Sequence, residues 1–157
     1  MSSFYNRRRP CWIILRTTHR AAKEENEMKK RTMTCGLLVK DYDEALDFYT
    51  KKLGFVVVED VPIGEDRWVT ITLPGNQDVV LALHEAHSQD DLALIGKQFG
   101  SFPLLGIDTD DCMGEYQRMK ALGITFHGEP AVSPYGTGVM FEDLYGNKLF
   151  LNQEPGD

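Results

Sequence analysis

The chain is 157 residues long, with 42% apolar and 26% charged residues and three scattered cysteines (Cys11, Cys35, Cys112). That is the make-up of one globular domain: no run is long enough to span a bilayer, and the cysteines suggest neither a disulfide framework nor a zinc cluster. The net charge of −7 is unevenly divided, because residues 1–32 carry nine Lys/Arg against three Glu, whereas the remainder carries eight Lys/Arg against twenty-one Asp/Glu. So acidic a body repels phosphate backbones, which argues against nucleic acid as a partner, and no membrane partner is expected.

In chain order, residues 1–32 are basic and hold only Cys11–Leu15 as an apolar patch. They lack the apolar stretch and cleavage site of a secretory signal and read as a disordered extension. The cysteine usage then suits a reducing cytoplasm.

From Met33 the hydrophobic period switches in a fixed order. Thr34–Val39 reads as a strand, and Asp41 or Asp43 offers a helix N-cap. Ala45, Leu46, Phe48, Tyr49 and Leu53 follow at helical spacing, and Gly54 closes the helix. Phe55–Val61, Arg67–Leu73 and Asp78–Leu83 read as strands, the last two joined by the turn Pro74-Gly75-Asn76. The module 33–84 is therefore βαβββ. Residues 85–102 read as a crossover with a short helix.

Module 103–153 repeats the order, and residues 154–157 form a tail. Leu104–Thr109 is a strand, Asp110 or Asp111 caps a helix carrying Met113, Tyr116, Met119 and Leu122, and Gly123 ends it. Ile124–His127 is a strand, Glu129–Gly138 a loop, Val139–Glu142 a strand, Gly146-Asn147 a turn and Lys148–Leu151 the last strand. Two halves with matching caps, helix exits and turns are an internal duplication. In each module one helix covers one sheet face. Cys35, Leu37, Val39, Val69 and Ile71 should face it, with Thr34, Trp68 and Thr70 opposite. The expected fold is α+β: two tandem βαβββ modules forming a curved eight-stranded cup with helices outside, a shape suited to a small molecule.

The stretches VKDYDEALDFYTKKLGF, DRWVTITLPG and TDDCMGEYQRMKALGITFHGEPAVSPYGTGVMFEDLYGNKLFLNQ resemble the vicinal oxygen chelate superfamily. That superfamily includes glyoxalase I, extradiol dioxygenases, fosfomycin-resistance enzymes and bleomycin-binding proteins. The resemblance covers residues 33–153, and its most specific parts are FYTKKLGF and FEDLYGN. It implies one divalent metal in the cup, held by His, Gln or Glu on matching strands. Carried onto this chain, the ligand positions are Thr34, Pro103 or Leu104, Phe150, and Val79 or Val80. None is a competent ligand, so no cofactor is expected, and a divalent metal would require a displaced ligand set.

Other sites are sparse. His84 and His87 of HEAH would share a face only if that segment were helical, and surface-loop residues are the plainer reading. His127 is the candidate acid–base. Glu142 and Asp143 read as turn chemistry. Cys35 should point to the helix, and Asp110 and Asp111 should raise the Cys112 pKa, so no thiol nucleophile is expected. The expected ligand-binding set is Thr34, Arg67, Trp68, Thr70, Tyr135 and Phe150. The expected function is metal-free binding or sequestration of a small organic molecule, by a homodimer as the resemblance implies. The alternative is a glyoxalase I-like lyase or another divergent enzyme of the superfamily, isomerase- or dioxygenase-like, acting on a small organic substrate.

Overall fold

The computed structural model describes residues 33–76 and 78–156; the basic extension 1–32 and the last residue of the tail lie outside the described residues. Residues Thr32–Asp157 form one compact unit. The elements are β1 (Met33–Val39), α1 (Tyr42–Lys51), β2 (Val56–Ile63), β3 (Asp66–Thr72), β4 (Val79–Glu85), α2 (Gln89–Leu94), β5 (Leu105–Asp108), α3 (Cys112–Ala121), β6 (Ala131–Ser133), β7 (Gly136–Glu142) and β8 (Lys148–Gln153). They make two four-stranded sheets of identical topology, β1-β4-β3-β2 and β5-β8-β7-β6. The first pair in each is parallel and the rest are antiparallel. The duplication is therefore real at the level of strand pairing. There is no closed barrel, and among the described residues no ladder joins the two sheets.

Both main helices start on an aspartate. The Asp41 carboxylate accepts the Glu44 N–H at 2.8 Å, and Asp111 accepts that of Gly114 at 2.8 Å. Each side chain satisfies an amide that the helix's first turn leaves without a partner. A Cβ on Gly114 would lie 2.2 Å from the Asp111 carboxylate, so glycine there lets the cap close. α1 buries Tyr42, Ala45 and Tyr49, and α3 buries Cys112, Tyr116 and Met119, in each case one stripe. Gly54 (φ 77°) and Gly123 (φ 79°) release the chain in the left-handed conformation after each helix.

Alternation along the strands decides what each sheet shows to its helix. Leu37, Val39, Val69, Ile71, Leu81 and Leu83 in the first module are buried, as are Val139, Phe141, Leu149 and Leu151 in the second. These two helix-side faces belong to one continuous hydrophobic cluster. The modules thus meet through their helix-bearing sides, and polar contacts lock the junction. The fully buried Tyr49 hydroxyl donates to Asp143 Oδ2 at 2.9 Å. Asp143 also accepts from Asn147 Nδ2 and from the amides of Tyr145 and Asn147. Arg118 donates to the Lys52 carbonyl at 3.1 Å.

The crossover closes one corner. Gln98 accepts the Leu38 N–H at 2.7 Å and donates to the Leu38 carbonyl at 3.2 Å. Gly96 packs where a Cβ would lie 2.1 Å from the Tyr145 carbonyl oxygen.

Two sequence expectations need correction. Ile124–His127 is not a strand; it makes one isolated bridge, Phe126 to Phe141. The paired strand is Ala131–Ser133, inside the expected loop. Phe126 is drawn inward by Tyr116, whose ring centroid lies 4.7 Å away, and by Phe141 at 5.6 Å. That aromatic packing, with two backbone hydrogen bonds to β7 (His127 N–H to Met140 O and Glu142 N–H to Thr125 O), accounts for the apolar pattern that reads as a strand.

Candidate functional site

The faces turned away from the helices carry the candidate chemistry. In the first module, register aligns three rows across the sheet. Leu38 lies beside His84, Gly36 beside Ala82 beside Thr70 beside Glu59, and Thr34 beside Val80. Trp68 stands next to His84 with ring centroids 6.3 Å apart at 70°. Its indole N–H donates to Glu59 Oε2 at 2.8 Å, which fixes the ring. Thr70 is 2% exposed, and its Oγ1 has no hydrogen-bond partner among the described residues.

In the second module the corresponding face carries Gly106 beside Phe150 beside Met140, and Asp108 beside Asn152 beside Gly138. The Phe150 ring lies across Gly138: a Cβ there would sit 2.4 Å from Phe150 Cζ. Asn152 donates to Asp108 at 3.0 Å. His127 hydrogen-bonds Met140 through its amide, and its Nε2 lies 2.7 Å from Glu142 Oε1. A histidine tied to a carboxylate can hold or pass a proton, or anchor a polar ligand group.

The matching caps make Gly36 and Gly106 equivalent, each five residues before its capping aspartate. Their partners are Ala82 and Phe150. The first-module counterpart of Phe150 is thus Ala82, not Val79 or Val80. Thr34 likewise corresponds to Leu104, whose amide donates to Lys148 O just as β1 begins beside β4. The four positions where the fold family places metal ligands therefore hold Thr34, Leu104, Ala82 and Phe150. One neutral hydroxyl and three hydrocarbons do not fit a divalent ion, which requires three or four converging donors. Among the described residues there is also no group of three or more His, Cys, Asp or Glu placed to hold a metal.

The structure divides the residues singled out from sequence. Thr34, Trp68, Thr70, Phe150 and His127 lie on the faces turned away from the helices, where Thr70 is buried. Arg67 does not. It shares the helix side with Val69 and Ile71, and its guanidinium is held by Asp43 (2.8 Å) and Asp60 (2.7 Å), which push its pKa further up. Tyr135 stands at the tip of the β6–β7 hairpin, 87% exposed. His84 is a strand residue on the open face. His87 instead borders a different hollow with Asp66 and Glu85, so HEAH does not form a two-histidine site. Cys112 is buried, and burial foremost, with Asp111, pushes its thiol pKa up.

Sequence reasoning missed two partners. Glu142 has the sequence context of turn chemistry, yet alternation from the buried Phe141 puts it on the face turned away from the helix. Glu59 reaches Trp68 only because β2 carries a bulge between Val57 and Glu59, which no spacing rule signals.

Two βαβββ modules with fused helix-side cores and open opposite faces define a class of cup-forming proteins. The model of the Glyoxalase/Bleomycin resistance protein/Dioxygenase superfamily matches residues 31–151, and the chain belongs to that superfamily. A protein of Shewanella frigidimarina is 43% identical over 128 residues, covering 80% of this chain and 95% of the relative. Among solved structures, UcmS2 is 32% identical with a TM-score of 0.70, over 80% of this chain and 98% of that one. TnmS3, an antibiotic binding protein from Streptomyces sp. CB03234, is 26% identical with a TM-score of 0.66, over 83% of this chain and 100% of that one. Among the described residues no helix is long and apolar enough to cross a membrane.

Proposed function

We propose that the protein binds or sequesters a small organic molecule without a metal, on the open sheet faces, as a cytoplasmic homodimer. The observation that carries this reading is the replacement of the metal-ligand positions by Thr34, Leu104, Ala82 and Phe150. A ring laid over Gly138 and an indole pinned by Glu59 offer flat apolar surface instead of ligating lone pairs. The likeness to TnmS3 supports a small-molecule ligand.

Dimerisation is supported by the sheet edges. Among the described residues, β1 and β5 have no strand neighbour on their outer sides, and only Leu38 is engaged there, by Gln98. Pairing β1 of one chain with β5 of another would join two sheets and bring two open faces into one cup. The test combines metal analysis of protein purified without chelator, a thermal-shift screen of divalent ions and flat organic compounds, and sedimentation for mass. Organic ligands should stabilise a dimer, and divalent ions should not. A stoichiometric, stabilising metal would overturn the reading.

A second reading rests on the 2.7 Å contact between His127 and Glu142. Here the cup is that of a lyase-like or other enzyme, and the dyad moves a proton. His127→Gln should then abolish turnover while leaving ligand affinity within about twofold, the split expected when a group acts only in the transition state. Loss of binding alone would return His127 to the binding role.

A further inference from the structure

The seam between the two modules is not completely filled. On the helix side, Phe55, Leu73, Val79 and Leu81 of the first module and Leu105 and Ile107 of the second line a hollow of about 150 Å³. Packed interiors seldom leave a gap larger than one water, so a space of this size calls for a reason. It is reachable from solvent: Leu73, Val79, Leu105 and Ile107 are half-buried and form its mouth, whereas Phe55 and Leu81 are its buried floor. Among the described residues, no charged side chain lines it, and its polar side chains are Thr72 and Asn76 at the β3–β4 turn. The Thr72 hydroxyl donates to the Val79 carbonyl at 2.7 Å, so its proton is committed. Asn76 Oδ1 accepts the amides of Asp78 (2.9 Å) and Val79 (3.2 Å), which leaves its Nδ2 donor without an acceptor among the described residues.

We infer that this hollow is a binding site, separate from the open faces, for an uncharged single-ring molecule carrying one hydrogen-bond acceptor, such as a small aryl ether or ketone. Size sets the first limit, since an apolar cavity of about 150 Å³ takes up one benzene ring. Phe55 supplies an aromatic wall for edge-to-face contact. The ligand's oxygen accepts from Asn76 Nδ2, which fixes the orientation of the ring. A carboxylate or ammonium would lose its water here with no opposite charge to receive it, and is rejected. Because the walls come from both modules, a bound ring bridges them and stabilises the junction by mass action.

The experiment titrates the full chain with three fluorinated probes, followed by fluorine NMR. They are 4-fluoroanisole, its isostere 1-ethyl-4-fluorobenzene, which lacks the acceptor, and 4-fluorobenzoate, which adds a charge. The anisole should give a saturable shift and raise the melting temperature. The isostere should bind about threefold or more weakly, the scale of one neutral hydrogen bond, and the benzoate more weakly still. Val79→Phe and Leu105→Phe fill the hollow from opposite walls, and each should abolish binding of both neutral probes; either one suffices if the other fails to fold. Asn76→Asp keeps an oxygen for the two amides and removes the donor, so it should bring the anisole down to the affinity of the isostere. The site is overturned by the absence of a saturable shift with the anisole, by equal or tighter binding of the benzoate, or by equal binding of the two neutral probes. Anisole binding that survives the filling variants also overturns it. The reading of the open faces then stands, because Val79 and Leu105 lie on the opposite sides of their sheets.

Discussion

The two open faces share one backbone plan and differ in where they put bulk. In the first module the large ring comes from β3, as Trp68, with Ala82 and Gly36 low beside it. In the second the counterpart of Trp68 is Gly138, and the ring comes from β8, as Phe150, laid over that glycine. Polar groups divide as well. The first face offers an orphan hydroxyl and a carboxylate, whereas the second offers the His127–Glu142 and Asp108–Asn152 pairs. A duplicated frame thus keeps its caps, turns and core while its two faces diverge in bulk and polarity. Backbone and chemistry are separable here, which is why fold alone does not name a ligand.

The contrast holds only while the two modules stay locked, and breaking that lock should have the largest effect. Asp143→Ala removes an acceptor for four donors at the buried junction and should destabilise by about 3–5 kcal/mol, measured by urea unfolding. Tyr49→Phe removes one of those bonds and should cost about 1.5–3 kcal/mol.

The same tyrosine predicts a pH effect. Burial foremost, then the Asp143 charge, holds its phenol well above the ordinary value of 10. An unfolded tyrosine ionises near pH 10, so this contribution to stability is complete below that pH and lost as pH rises above it. Tyr49→Phe should therefore flatten the alkaline side of the stability curve, and an unchanged alkaline slope would show that the junction does not titrate.

Gly138→Ala sharpens the comparison at the second face. Its methyl collides with Phe150 and should lift the ring, destabilising by about 1–3 kcal/mol. Ligand affinity at that face should fall too, read by calorimetry with whichever compound the screen identifies. The smallest effect belongs to Arg67. Its ion pairs are surface interactions, so Arg67→Ala should cost no more than about 1 kcal/mol, and ligand affinity should not change. A large affinity loss would put Arg67 back among the ligand contacts.

The duplication was legible because caps and glycine exits are local signals: Asp41 and Gly54, then Asp111 and Gly123, mark both helices without tertiary information. The side facing each helix was legible from alternation, which placed Trp68 and Thr70 correctly. Register was not. The chain takes six residues from Asn76 to Ala82 but three from Asn147 to Phe150, so counting from the turn pointed to Val79 or Val80. Only the pairing of β1 with β4 corrects it. The His127–Glu142 contact was hidden for a similar reason, because it depends on the register in which residues 125–127 bond to the far end of β7. The Glu59–Trp68 bond depends on a bulge, and Arg67 was misplaced because its alternate position aims it at two aspartates.

Gln98 uses its side-chain amide to do what a neighbouring peptide would do for Leu38, filling both hydrogen-bonding slots at the end of β1. It works as a stop. In the proposed dimer an incoming strand would pair along Thr34 and Gly36 and halt there, so a short, single alignment would be selected over a sliding one. Replacing that glutamine would free the whole border and invite mis-set or runaway association, a failure of assembly and not of folding.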